Sequence, residues 1–187
     1  MKLMRCGVLA TAFAVSAATT GAAQQNGALE FGMDAALFHY SYNVKTTAGD
    51  RSTSTNVFQF PVSAVRVAFP LNPGFSLEPS VNLQYSSVNG QNALTLTGDL
   101  GLLMDLTHDP KEWRWYVRPA IGLQHFSSSA FSTTDRPTLS FGLGTRVPLT
   151  DRIAARYEAR YQWIGSTSTA GSQNGIGLLA GISVFTR

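Results

Sequence analysis

Residues 75–85 read FSLEPSVNLQY, and the order of polar and apolar side chains in this stretch decides the fold. Phe75, Leu77, Pro79, Val81, Leu83 and Tyr85 are apolar or aromatic, whereas Ser76, Glu78, Ser80, Asn82, Gln84 and Ser86 are polar. Successive side chains of an extended strand point to opposite faces, so strict alternation describes a strand with two chemically opposed surfaces. Strands of soluble domains usually run about 5–6 residues, whereas about 9–11 tilted residues cross the hydrocarbon layer of a membrane. The stretch therefore reads as one stave of a transmembrane β-barrel, apolar face to lipid and polar face inward.

The flanking sequence repeats the pattern. Upstream, one strand is expected over Leu29–Asn43, its alternation clean through Ala36 and blurred after Leu37 at Phe38, His39, Tyr40 and Tyr42, where a bulge or an emergence from the membrane is expected. A polar loop follows over Val44–Thr55, then a second strand over Asn56–Phe69. In that strand Phe58, Phe60 and Val62 share one phase and Val65, Val67 and Phe69 the other, so a slip near Ala64 is expected to leave Arg66 pointing inward. Pro70–Gly74 is read as a tight turn, and Asn89-Gly90 as a type I′ hairpin turn.

Downstream, strands are expected over Ala93–Leu106, with Leu103 out of phase, and over Trp113–Phe126. The sixth carries Leu139, Phe141, Leu143 and Val147 outward after a loop over Ser127–Pro137; the seventh runs from Ile153 to Trp163, the eighth from Gly175 to Phe185. Connections after even strands are short and contain proline, and those after odd strands are mostly longer and Ser/Thr-rich. That sorting matches periplasmic turns and outer loops. A weak internal echo aligns 77–84 with 117–124. Pro61, Pro79 and Pro119 each remove a ladder N–H, and bulges are expected to accommodate them.

Composition agrees. Charged residues are 13% of the 187, glycines number 17, and mean hydropathy is near zero. A barrel hides its membrane signal in this way, because only alternate residues meet lipid. Residues 1–23 read as a signal peptide, with Lys2 and Arg5 before the apolar run Cys6–Ala18 and cleavage expected after Ala23; residues 24–187 form the barrel domain. Losing Lys2 and Arg5 from 14 basic residues leaves 12 against 11 acidic ones, and no basic run marks a nucleic-acid partner. Cys6 leaves with the leader, so no disulfide is expected.

The chain is thus read as all-β, an eight-stranded antiparallel up-and-down transmembrane β-barrel. Because backbone polar groups in hydrocarbon must be paired within the protein, the sheet has to close. Closure confines Arg66, Glu78, Asp99, Asp105, Arg114, Arg118, Arg146, Arg156, Glu158 and Arg160 to a narrow interior, where they are expected to pair into a network that leaves no open pore. Trp113, Trp115, Phe69 and Phe75 lie by the short turns and Phe58, Phe60, Tyr85, Tyr161 and Trp163 by the long connections, as two interfacial girdles would. A periplasmic lipocalin-like carrier, with the apolar set turned inward around a greasy ligand, is the alternative that alternation alone leaves open.

Over Leu29–Phe185 the pattern resembles the small outer-membrane barrels of Gram-negative bacteria, OmpA-like and OmpX-like, although Phe185 is followed by Thr186 and Arg187 where those families typically end on an aromatic. The resemblance implies a bacterial outer-membrane location, contact with outer-membrane lipid and lipopolysaccharide, handling by the barrel-assembly machinery, and an envelope-structural or surface-interaction role through the connections. No cofactor is expected, and no phosphate loop, zinc spacing or nucleophile elbow occurs. His125 and Ser127 share an outward face near the outer rim and look like the His-x-Ser pair of outer-membrane lipid A deacylases, a hydrolase alternative. That family carries the pair near its C-terminus with an acidic partner downstream, and no Glu lies on strand six here. His39 and His108 read as surface residues, and Glu158 between Arg156 and Arg160 as an ion-paired group rather than an anion site.

Overall fold

A computed structural model describes residues 28–46, 49–88, 91–107, 113–128, 133–167 and 171–186. The expected leader, the Asn89-Gly90 turn, Asp109-Pro110 and His108 lie outside the described residues. Eight strands form: β1 (Glu30–Thr46), β2 (Gly49–Asn72), β3 (Phe75–Val88), β4 (Gln91–Asp105), β5 (Arg114–Ser128), β6 (Thr134–Pro148), β7 (Ile153–Ile164) and β8 (Gln173–Phe185). Each pairs antiparallel with its sequence neighbours, and β1 pairs with β8, closing the barrel.

The apolar phase faces out. Val81 is 53% exposed and Leu96 40%, whereas Arg118 is fully buried. This arrangement overturns the lipocalin-like alternative, which needs the reverse: isolated charges would then be solvated and the aliphatic set would enclose a cavity.

Arg66 does point inward, and the slip that puts it there is a bulge in β2. Across from β1, Ala64 pairs with Asp34 and Gln59 with Ala36, so residues 60–63 stand opposite the single residue Ala35. The bulge expected in β1 after Leu37 does not occur; β1 pairs with β8 in unbroken register from Glu30 to Tyr42. Its blurred half has a different cause. Phe38, Tyr40 and Tyr42 keep the inward phase and fill the barrel with rings, Phe38 stacking on Tyr40 at 5.4 Å between centroids. Leu103 likewise keeps the inward phase of β4 and is wholly buried.

The proline expectation divides. Pro61 sits within the β2 bulge. Pro79 and Pro119 need none: the β2–β3 ladder skips from Arg66↔Ser80 to Phe69↔Leu77, and the β4–β5 ladder from Gly101↔Ala120 to Met104↔Val117, both without change of register. Each missing N–H therefore costs a local gap and leaves every side chain on its own face.

The connections are shorter than expected. Val44–Thr55 is mostly ladder, with Val44 paired to Arg51 and Thr46 to Gly49, so β1 and β2 run on as a hairpin well past the length needed to span. The first residues of the expected Pro70–Gly74 turn belong to β2; the turn itself is Pro73-Gly74, where Gly74 takes φ 89°, a left-handed conformation that glycine adopts without strain. β6 begins at Thr134, inside the expected Ser127–Pro137 loop.

Candidate functional site

The inward residues of the periplasmic half of the barrel form one connected web. It begins with Arg66 on β2, whose Nη1 donates to Glu30 at 2.7 Å and whose Nε donates to Asp34 at 2.9 Å, both acceptors on β1. Ser183 on β8 donates to the same Glu30 oxygen and accepts from Arg66 Nη2. The other Glu30 oxygen accepts from Arg146 on β6 at 2.7 Å, and Arg146 also pairs with Asp105 on β4.

Glu78 on β3 is the hub. It is fully buried and accepts from Arg118 Nε at 2.6 Å and from both terminal nitrogens of Arg156, at 2.5 and 3.1 Å; Arg66 lies 3.9 Å away. Arg118 continues to Asp99, and Arg156 to Glu158 at 2.7 Å, which in turn accepts from Arg160 at 2.6 Å. Tyr116 threads the web: its hydroxyl donates to Glu158 and accepts from Arg156 Nε, while its ring lies 4.6 Å from the Arg156 guanidinium carbon. Taking an ion out of water costs several kcal/mol, and only multiple charge-assisted hydrogen bonds of this kind offset it.

Nine of the ten sequence-predicted interior residues thus meet: Arg66, Glu78, Asp99, Asp105, Arg118, Arg146, Arg156, Glu158 and Arg160. Arg114 does not join the ion pairs among the described residues; it is half-buried at the rim, across from Arg146. Sequence reasoning left out Glu30, Asp34, Tyr116 and Ser183 as members. All four lie on the polar phase of their strands, so the same alternation would have included them. Every strand from β1 to β8 contributes at least one group.

Toward the outer end the filling changes character. Tyr40, the outer of the two stacked rings, donates to Gln162 at 3.0 Å. Arg136 has backbone carbonyls for partners, those of Gly165 and Gly171 at 2.7 Å each, and so joins β6 to the residues that follow β7 and precede β8.

Outside the barrel, His125 Nδ1 lies 2.7 Å from Asp135, its direct register partner on β6, and Ser127 follows on the same face of β5. Both members of the pair are substantially exposed. Asp135 was missed as an acidic partner because the loop expected over 127–137 hid its register. His39 Nδ1 similarly meets Asn56. Among the described residues no group of three potential metal ligands gathers.

A closed eight-stranded cylinder with an aliphatic wall and an ion-paired interior defines the class of small outer-membrane barrels. A model of the outer membrane protein beta-barrel domain matches residues 8–183, and the chain belongs to that family in the bacterial outer membrane. Among solved structures it is similar to Neisserial surface protein A (16% identity, TM-score 0.60), covering 86% of this chain and 100% of that one. It is also similar to the N-terminal barrel of Pseudomonas aeruginosa OprF (12% identity, TM-score 0.56; 84% and 98% covered). Ail, the attachment invasion locus protein of Yersinia pestis, follows at 9% identity and TM-score 0.50, with 86% and 99% covered. At these identities the likeness is one of fold. No curated protein matches the chain in sequence.

Proposed function

We propose that this protein is a non-enzymatic envelope component whose filled interior is a structural strut and whose surface-contact element is the β1–β2 hairpin. One observation carries the reading: the β1–β2 ladder runs on to Thr46↔Gly49, past Tyr42↔Gln173, the last rung that β1 shares with β8, and the β2 arm leading to it is exposed at Ser52, Thr53, Ser54, Thr55 and Asn56. A projecting ribbon of hydroxyls and amides offers donors and acceptors suited to polysaccharide, and lipopolysaccharide is the partner at that level of the envelope. Assembly by the barrel-assembly machinery belongs to the same reading. The test uses the chain in nanodiscs against immobilised lipopolysaccharide, with Ser52–Thr55 replaced by alanine. Binding should fall in the variant, and equal binding would remove the hairpin from the proposal. In planar bilayers the strut predicts no stepwise conductance; reproducible channels would overturn it.

The His125–Asp135 pair supports a second reading. A carboxylate on Nδ1 would orient the imidazole and leave Nε2 free to take a proton from Ser127, as an acyl hydrolase at the lipid surface requires. Deacylation of lipid A by the wild type that is lost in Ser127→Ala would establish this reading over the first.

A further inference from the structure

The lipid-facing wall carries a depression of about 540 Å³ where β1, β8, β7, β6 and β5 pass side by side, a volume within the about 300–1,000 Å³ typical of ligand sites. Its floor is set by small residues, Ala35, Ala180 and Ala159, and its walls by Leu37, Leu178, Leu143, Trp115 and Tyr157. The register shows its direction. Ala35 pairs with Ala180, Ala180 with Tyr157, Tyr157 with Thr145 and Thr145 with Trp115, so these five form one rung. Counted from the periplasmic strand ends, Trp115 is the second residue, Thr145 the fourth, Tyr157 the fifth, and Ala180 and Ala35 the sixth. The groove therefore climbs obliquely from the interface into the hydrocarbon.

Thr145 is the anomaly on that rung. It holds the outward, lipid-side phase of β6, between Leu143 and Val147, yet is only 7% exposed, and its hydroxyl has no hydrogen-bond partner. A buried hydroxyl without a partner is costly and uncommon, and it points to a partner that arrives with a ligand. The environment of this wall is the bilayer, so the occupant is a lipid; the periplasmic end of the groove selects the leaflet built of diacyl phospholipid. An acyl ester sits at interfacial depth, where Thr145 and the girdle residue Trp115 lie.

We propose that this groove is a binding site for one phospholipid of the periplasmic leaflet, with an acyl chain laid over Ala159, Ala180 and Ala35 and an ester carbonyl accepting from Thr145. The inference rests on the outer-membrane location and is independent of the role given to the hairpin.

The test is native mass spectrometry of the full chain, released from vesicles of phosphatidylethanolamine and phosphatidylglycerol in mild detergent. Wild type should retain one phospholipid. Thr145→Val, which keeps the shape and removes the hydroxyl, should lower retention roughly 2–10-fold, the worth of one hydrogen bond. The double variant Ala159→Leu, Ala180→Leu should abolish retention while Val81→Leu, on the opposite wall, leaves it unchanged. Heat-modifiable gel migration shows whether each variant is folded; if the double variant is not, Thr145→Val decides. A lipid-free wild type, equal retention in all folded variants, or a wild-type dimer that the leucine pair dissociates would each overturn the proposal, the last by showing a second copy of this chain in the groove.

Discussion

Replacing Glu78 by Gln tests the interior web at its hub. The amide keeps the shape but loses the charge that Arg118 and Arg156 share. Neither guanidinium becomes wholly unpaired, since Arg118 keeps Asp99 and Arg156 keeps Glu158. Both nonetheless lose their fully buried partner, and the amide NH₂ now faces donors that cannot accept from it. Removing one member of a buried pair costs about 3–5 kcal/mol, and the surviving partners place Glu78→Gln toward the lower end of that range. With a urea m-value near 2 kcal/mol/M, the unfolding midpoint should fall by roughly 1.5–2 M. The assay is reversible urea unfolding in lipid vesicles, followed by tryptophan fluorescence and by the folded band on unheated gels. A companion double variant, Glu78→Gln with Arg118→Gln, removes one charge of each sign and should be less destabilising than the two single losses summed, by about 1 kcal/mol or more. A Glu78→Gln midpoint within 0.5 M of wild type, or strict additivity in the double variant, would refute the claim that these charges hold one another in place.

Three further outcomes follow from the same geometry. Leu96→Arg, on the lipid face of β4, should destabilise the barrel by about 2–4 kcal/mol in vesicle refolding, whereas Leu96→Met should cost under about 1.5 kcal/mol; equal costs would mean Leu96 does not face hydrocarbon. Tyr116→Phe deletes a hydroxyl that bonds two charged groups, Glu158 and Arg156, and should cost about 1.5–3 kcal/mol by urea titration; a neutral result would remove Tyr116 from the web. Gly101→Val should hinder folding, because a Cβ there would lie 2.6 Å from the guanidinium of Arg118, which Glu78 and Asp99 prevent from moving aside; relief on adding Arg118→Ala would locate the clash.

The barrel was legible in the sequence because period-two alternation reports directly on which residues share a face, and lipid outside with charge inside makes the faces chemically unlike. Arg66 shows how far this reaches: its inward direction followed from two out-of-phase apolar triplets, and the β2 bulge supplies the mechanism. The reading failed where the two faces stop being unlike. Phe38, Tyr40 and Tyr42 are inward aromatics, so the interior there looks as apolar as the wall and alternation fades without any break in the ladder. Polarity misled over Val44–Thr55 for the converse reason, since a ribbon beyond the membrane has two wet faces and its composition is that of a loop. Pairings across strands, such as His125 with Asp135, depend on register, which no single strand encodes.

Glu30, Arg66, Glu78, Asp99, Arg118, Arg146, Arg156 and Ser183 come one from each of the eight strands, and each touches a group on another strand. This distribution answers a problem posed by the solvent. Burying an aliphatic side chain from lipid gains little, because acyl chains are as apolar as leucine. A membrane barrel therefore cannot hold itself together by an oily core against an oily surround, and the ladder hydrogen bonds fix neighbouring strands but do not reach across the lumen. Ion pairs across the interior do reach, and they gain strength from the low dielectric that water exclusion creates. Toward the outer end, Phe38 stacks on Tyr40, and Arg136 of β6 donates to the backbone carbonyls of Gly165 and Gly171. The charged interior, which in a soluble domain would be a liability, is here the cross-bracing that a thin closed sheet lacks.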